Sequence, residues 1–139
     1  MSGTCVDRKT ILVVDDEDSF RLLVEKALSR SGYTIVTAAS AAKALEYIVE
    51  GKVDLILTDV KMPKGSGFDL MALTQFVVGK IPIVVMSGHV GIDILIDEGI
   101  ENGAVQCLQK PFTLAELRET VSSVFAAHDL YVVKEPSCA

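Results

Sequence analysis

Short apolar runs separated by helix-length intervals are the feature that most constrains the fold of this 139-residue chain. Five runs read as strands, at about residues 11–14, 34–38, 54–58, 83–86 and 105–109. Each interval between consecutive runs exceeds the dozen or so residues that a parallel crossover requires. Segments with helical spacing of apolar residues lie between the runs, and this alternation is typical of an α/β fold. We therefore predict one doubly wound (βα)₅ domain.

The intervals contain recognisable helix signals. The first helix is predicted to bury a stripe made of Phe20, Leu23, Val24, Ala27 and Leu28. Ser40 can cap a second helix, which is expected to end at Gly51. The third and fourth helices are predicted at about residues 68–78 and 92–102. A capping box from Thr113 to Glu116 opens the last helix.

Composition limits the function classes that this chain can serve. A net charge of −6 and a pI near 4.8 disfavour direct nucleic-acid binding, which needs a basic surface. Cys5, Cys107 and Cys138 are odd in number and no signal peptide precedes them, so reduced thiols in the cytoplasm are expected. No apolar stretch approaches the roughly 20 residues that span a bilayer. We predict a flexible leader at 1–9, one domain at 10–128, and a tail or linker start at 129–139.

Polar residues follow four of the predicted strands. Asp15 and Asp16 come after the first, Asp59 after the third, Ser87 after the fourth and Lys110 after the fifth. The carboxyl ends of parallel strands share one edge of a sheet, where ligands bind. Two carboxylates 4 Å apart repel by about 4 kcal/mol at an effective dielectric near 20, so we predict a Mg²⁺ ion among them.

Each of these residues also has an ordinary structural explanation. Asp15 and Asp16 can cap the first helix, and Asp59 can be a turn residue. Ser87 can be a turn hydroxyl, and Lys110 can be a solvated lysine whose stem covers apolar surface. Four such explanations must coincide at corresponding strand ends, which favours a shared functional pocket.

Four motifs at these strand ends give the chain a resemblance to a known family. They are Val14-Asp15-Asp16-Glu17, Thr58-Asp59-Val60-Lys61-Met62-Pro63, Val85-Met86-Ser87-Gly88 and Gln109-Lys110-Pro111-Phe112. From about Ile11 to Ala127 the chain resembles the receiver domain of bacterial two-component response regulators. The resemblance implies a flavodoxin-like sheet of order 2-1-3-4-5 flanked by five helices.

The resemblance also implies a role for each pocket residue. Asp59 is implied to accept a phosphoryl group from the phosphohistidine of a sensor histidine kinase or phosphotransfer protein. Lys110 and Ser87 are implied to contact that group, and the Lys110–Pro111 bond is implied to be cis. The implied ligands of Mg²⁺, or of Mn²⁺ in its place, are Asp15, Asp16, Asp59 and the backbone carbonyl of Lys61.

The family likeness further implies a signalling switch rather than an enzyme. Phosphorylation is implied to change the surface formed by the fourth helix, fifth strand and fifth helix, which can contact an effector, an output domain or a second copy. Cys107 stands where the family usually carries tyrosine or phenylalanine, and we interpret it as a small buried hydrophobe. Lys61 and His89 can overlook the pocket, and His128 is assigned no catalytic part.

Three other interpretations remain open from the sequence. One is a phosphatase of the haloacid dehalogenase type, although Asp16-Glu17-Asp18-Ser19-Phe20 matches only the two aspartates of its motif. Another is a receiver-like interaction module that phosphorylation does not regulate. The last is a flavin binder, which the lack of a Ser/Thr/Gly-rich loop after the first strand disfavours.

Overall fold

A computed structural model describes residues 9–59, 61–62, 65–66, 81–87 and 104–133 of the chain. The strands are β1 (Thr10–Val14), β2 (Thr34–Ala38), β3 (Leu55–Asp59), β4 (Lys61–Met62), β5 (Gly65–Ser66), β6 (Ile83–Ser87) and β7 (Ala104–Gln109). The helices are α1 (Asp18–Arg30), α2 (Ala41–Val49) and α3 (Leu114–Val133). The helices predicted at 68–78 and 92–102 lie outside the described residues.

Five strands form one parallel sheet in the order β2-β1-β3-β6-β7. Among the described residues, the two-residue strands β4 and β5 form a separate antiparallel pair. Without this small pair, the order along the sheet is 2-1-3-4-5. The structure thus confirms the predicted doubly wound topology.

The sheet is buried on both faces, as its continuous apolar strands require. Alternate residues of β1 enter different clusters: Leu12 and Val14 face one side, and Ile11 and Val13 face the other. On the first side the core also contains Ala44 and Ile48 from α2, together with Ile56, Ile83 and Val85. On the second side it contains Val24 and Leu28 from α1, Leu117 and Val121 from α3, and Leu55, Leu57, Val84 and Met86.

Helix α1 buries less of its apolar stripe than the sequence predicts. Val24, Ala27 and Leu28 are buried, but Leu23 is 50% exposed. The prediction that Leu23 is buried is therefore wrong, because only the part of the stripe around Val24 and Leu28 packs into the core. Beyond the helix, Gly32 has a φ of +97°, a conformation that glycine adopts without the strain a side chain causes.

Helix α3 begins with the predicted capping box. The Glu116 N–H donates to Thr113 Oγ1 at 3.0 Å, and the Thr113 N–H donates to Glu116 Oε1 at 2.9 Å. The helix then continues to Val133, five residues beyond the predicted domain end at 128. Among the described residues, no helix combines the length and the apolar character needed to cross a membrane.

We expect Thr113→Ala to destabilise the domain by about 1 kcal/mol, because the substitution leaves an N–H of the first turn of α3 without its side-chain acceptor. Urea unfolding followed by circular dichroism measures this change. Thr113→Ser is the matched control, because it keeps the hydroxyl, and its stability should stay close to that of the wild type. Equal losses in the two variants would contradict a capping role.

Candidate functional site

The carboxyl edge of the sheet brings four of the predicted site residues together. Asp15 and Asp16 follow β1, Asp59 ends β3, and Lys110 follows β7 directly. One carboxylate oxygen from each aspartate can be chosen so that all three lie within 4.8 Å of one another. Lys110 Nζ lies 3.0 Å from Asp15 Oδ2 and 3.4 Å from Asp59 Oδ2.

Asp15 is the most constrained residue of this group. Its side chain is only 1% exposed, and its Oδ1 accepts a hydrogen bond from the Glu17 N–H at 2.9 Å. Its backbone N–H donates to the Ala38 carbonyl at 3.1 Å, and its own carbonyl accepts from Arg21 Nη1 at 2.6 Å. Asp15 therefore both supports the start of α1 and holds Lys110, so the structural and functional interpretations of this residue are compatible.

Lys110 is a partly buried cation between two carboxylates. Burial acts to lower its pKa, but hydrogen bonding and charge attraction from Asp15 and Asp59 together outweigh burial and raise the pKa above its ordinary value. Because the pKa is higher in the folded state, the interactions of the charged Lys110 ammonium stabilise the folded protein. This stabilisation is fully present below the unfolded pKa of about 10.4. The contribution is lost only as pH rises through the folded pKa, so the ammonium is charged at neutral pH.

The donor set fits a hard divalent cation. Three carboxylates converge beside one ammonium, and oxygen ligands of this kind are those that Mg²⁺ binds. Asp16 is exposed and the Asp59 side chain is 16% exposed, so an ion and its bound water can reach the group from solvent. One lysine compensates only part of the charge of three carboxylates, so the carboxylates still repel one another. A cation bound here reduces that repulsion.

The remaining predicted residues are only partly described. Ser87 ends β6 at the same edge, paired in register with Gln109, and its hydroxyl lies outside the description. Lys61 begins β4 two residues after Asp59, and the metal-ligand role of its carbonyl stays a prediction. The Lys110–Pro111 bond is cis, as the resemblance implies. His89 and the side chains of Cys107 and His128 lie outside the described part of the chain.

Two residues near the site make contacts that the sequence predictions do not include. Arg21 contacts the Asp15 carbonyl and also pairs with Asp18, and the Phe20 ring lies 4.3 Å from Lys110 Nζ. The spacing of Asp18 and Arg21, three residues apart on one helix, is a signal that could have identified their ion pair. No sequence spacing links Phe20 with Lys110, because the two residues are brought together only by the tertiary fold.

Fold and site together define a doubly wound α/β domain with an acidic, lysine-containing pocket at the carboxyl edge of its sheet. Residues 11–122 match the sequence profile of the response regulator receiver domain. The chain belongs to this family, and the family likeness inferred from the four motifs is confirmed.

Two relatives and one solved structure illustrate the match. The chain is 36% identical over 117 residues to the DNA-binding transcriptional regulator NtrC of Bradyrhizobium sp. (strain RP501 Parasponia), covering 84% of this chain and 24% of that protein. It is 31% identical over 111 residues to the sporulation initiation phosphotransferase F of Bacillus subtilis, covering 80% of this chain and 89% of that protein. A receiver domain structure from Clostridium thermocellum superposes with a TM-score of 0.82 at 27% identity, covering 88% and 98% of the two chains.

These matches differ in how much of each relative they include. The chain spans about a quarter of the NtrC proteins it matches, but most of the sporulation phosphotransferase. The receiver domain is thus a unit found both within long regulators and nearly alone. The activities of the longer relatives are those of the whole proteins and are not assigned to this chain.

We expect Mg²⁺ to raise the thermal unfolding midpoint of the wild-type protein. When the ion is at a hundred times its dissociation constant, the free energy of unfolding should increase by about 2.7 kcal/mol. Asp16→Asn should remove most of this gain, because it takes one carboxylate from the cluster. In EDTA the same variant should be slightly more stable than the wild type, because the repulsion among the carboxylates is reduced.

Glu17→Gln is the matched control for this measurement. It removes an exposed acidic charge from the adjacent residue, which is not a member of the cluster. Thermal unfolding with and without Mg²⁺ should therefore show the normal gain in Glu17→Gln. A Mg²⁺ response that Asp16→Asn retains in full would rule out this cluster as the binding site.

Proposed function

We propose that this domain is a phosphorylation-operated switch in which Asp59 accepts a phosphoryl group from a phosphohistidine. The donor is a sensor histidine kinase or a phosphotransfer protein. The observation that carries this proposal is the position of the Lys110 ammonium, 3.4 Å from the Asp59 carboxylate at the acidic edge of the sheet. A lysine beside a partly exposed carboxylate provides a nucleophile together with a positive charge for the incoming phosphoryl oxygens.

The transfer itself exchanges one bond for another. An oxygen of the Asp59 carboxylate attacks phosphorus, a P–O bond forms, and the P–N bond to the donor imidazole breaks. The electron pair of the broken bond stays with the imidazole nitrogen. Asp15, Asp16, Asp59 and the Lys61 carbonyl would hold Mg²⁺, or Mn²⁺ in its place, which when bound would neutralise negative charge on the phosphoryl oxygens.

Lys110 and Ser87 act on the product in this proposal. The ammonium is hydrogen-bonded to the buried Asp15, so it keeps one anionic partner when the Asp59 carboxylate becomes an acyl phosphate. The N–H group that donates to Asp59 can then donate to a phosphoryl oxygen instead. Ser87 lies one residue beyond Met86, the register partner of Asp59, and its hydroxyl is proposed to donate to the same phosphoryl group.

The output follows from a change in population. A shift from a mostly inactive to a mostly active arrangement takes roughly 5 kcal/mol of differential stabilisation. We propose that the new phosphoryl charge supplies this stabilisation. The surface that changes is proposed to consist of the fourth predicted helix (residues 92–102), β7 and α3, and to contact an effector, an output domain or a second copy. The domain is proposed to span residues 10–128 and to act in the cytoplasm, with only self-phosphorylation and autodephosphorylation as chemistry.

We expect Asp59→Asn to abolish labelling by a small phosphodonor such as acetyl phosphate in the presence of Mg²⁺, because the amide lacks the nucleophilic carboxylate. Intact-mass spectrometry detects the added phosphoryl group. Asp54→Asn is the matched control, since Asp54 lies just before the other end of β3 and accepts a hydrogen bond from the Thr10 N–H.

The control variant should be labelled like the wild type. Label that persists on Asp59→Asn would contradict the assignment of the acceptor. A wild-type protein that binds Mg²⁺ but takes no label from any phosphodonor would favour the interaction-module interpretation. Sustained turnover of a phosphomonoester would favour the phosphatase.

A further inference from the structure

The ammonium of Lys110 has an aromatic neighbour in addition to its two carboxylates. Lys110 Nζ lies 4.3 Å from the centroid of the Phe20 ring, well inside the distance of about 6 Å at which a cation is attracted to an aromatic face. The described residues form two other contacts of this kind, both longer, at 5.6 and 5.8 Å. The closest such contact in the described structure therefore involves the lysine of the functional site.

Phe20 lies in the chain segment that also provides the acidic residues. It follows Asp16 by four residues, in the first turn of α1, and it packs partly buried against the core cluster that contains Val24 and Leu28. Arg21, the next residue, binds the carbonyl of Asp15. The ring is therefore fixed to the same element that holds the carboxylates.

A second ring holds Phe20 in place from the lysine side. Phe112, two residues after Lys110, meets Phe20 edge to face, with the centroids 5.9 Å apart and the planes at 77°. Both rings and the lysine line a cavity of about 410 Å³ next to the pocket. Edge-to-face geometry is favoured between aromatic rings, so the pair defines the orientation of the Phe20 face.

We propose that Phe20 is a positioning residue for Lys110 during phosphoryl transfer, a role that rests on the proposed function. The reaction consumes the carboxylate of Asp59, one of the two anionic partners of the ammonium. The ring attracts the cation but, unlike a carboxylate, forms no strong hydrogen bond with its N–H groups. Phe20 thus keeps the ammonium at the pocket while leaving an N–H able to turn toward the incoming phosphoryl group.

The test compares two substitutions at the same position. Phe20→Met fills similar apolar volume without a ring, whereas Phe20→Tyr keeps the aromatic face. With acetyl phosphate and Mg²⁺, we expect the labelling rate of Phe20→Met to fall about fivefold to thirtyfold, the range that loss of a partly desolvated cation–π contact gives. Phe20→Tyr should stay within about twofold of the wild type, as expected when the aromatic face is retained.

Phe112→Leu separates positioning from packing. It removes the edge contact that orients the Phe20 face but keeps the ring itself, so its rate should fall less than that of Phe20→Met. An aromatic face also shifts nearby protons upfield in an NMR spectrum. The ε-methylene protons of Lys110, assigned by their loss in Lys110→Arg, should be shifted upfield in the wild type and in Phe20→Tyr, and should return to ordinary values in Phe20→Met.

Several results would overturn the proposal. These are a Phe20→Met rate equal to that of the wild type, a Phe20→Tyr rate as low as that of Phe20→Met, and a wild-type Lys110 without an upfield shift. If Phe20→Met does not fold, the proposal is tested by the upfield shift of the Lys110 ε-methylene protons in the wild type and by the labelling rate of Phe20→Tyr. A wild-type protein that takes no label at all refutes the proposed function instead, whereas a labelled wild type with an indifferent Phe20→Met refutes only this inference.

Discussion

The site depends on the mutual repulsion of three carboxylates and on what holds them together. Asp15, Asp16 and Asp59 approach within 4.8 Å through their oxygens, and Lys110 bonds to two of them. Parallel topology produces this convergence, since adjacent strands β1 and β3 end at the same edge of the sheet. The buried strands hold the carboxylates where charge alone would separate them, and so the core stabilises a pocket that favours cations.

Sequence reasoning predicts the parts of this arrangement that follow from topology. Once the apolar runs are recognised as parallel strands, Asp15, Asp59 and Lys110 must lie at one edge of the sheet, and the motifs around them identify the family. The buried residues Leu117 and Val121 of α3 are likewise predictable from helical periodicity. Exposure of Leu23 is not predictable in this way, because periodicity gives the direction of a side chain but not the extent of the surface that covers it.

The first turn of α1 and the preceding loop act as one unit. The Arg21 guanidinium joins Asp18 to the backbone of Asp15, and the Glu17 N–H binds the Asp15 carboxylate. These contacts connect helix geometry directly to the position of the acidic group. Contacts of this kind depend on side-chain reach across a loop, which no hydrophobic pattern encodes, and this is why sequence reasoning missed the contacts of Arg21 with Asp15 and of Phe20 with Lys110.

The distribution of the pocket along the chain has a consequence for biosynthesis. All three aspartates lie within the first 59 residues, on strands that pair with each other, whereas the lysine follows Asp59 by 51 residues. A chain that emerges from the ribosome amino end first can pair β1 with β3 before β7 is available. The acidic cluster is therefore complete in the nascent chain before the amine that compensates it has been synthesised.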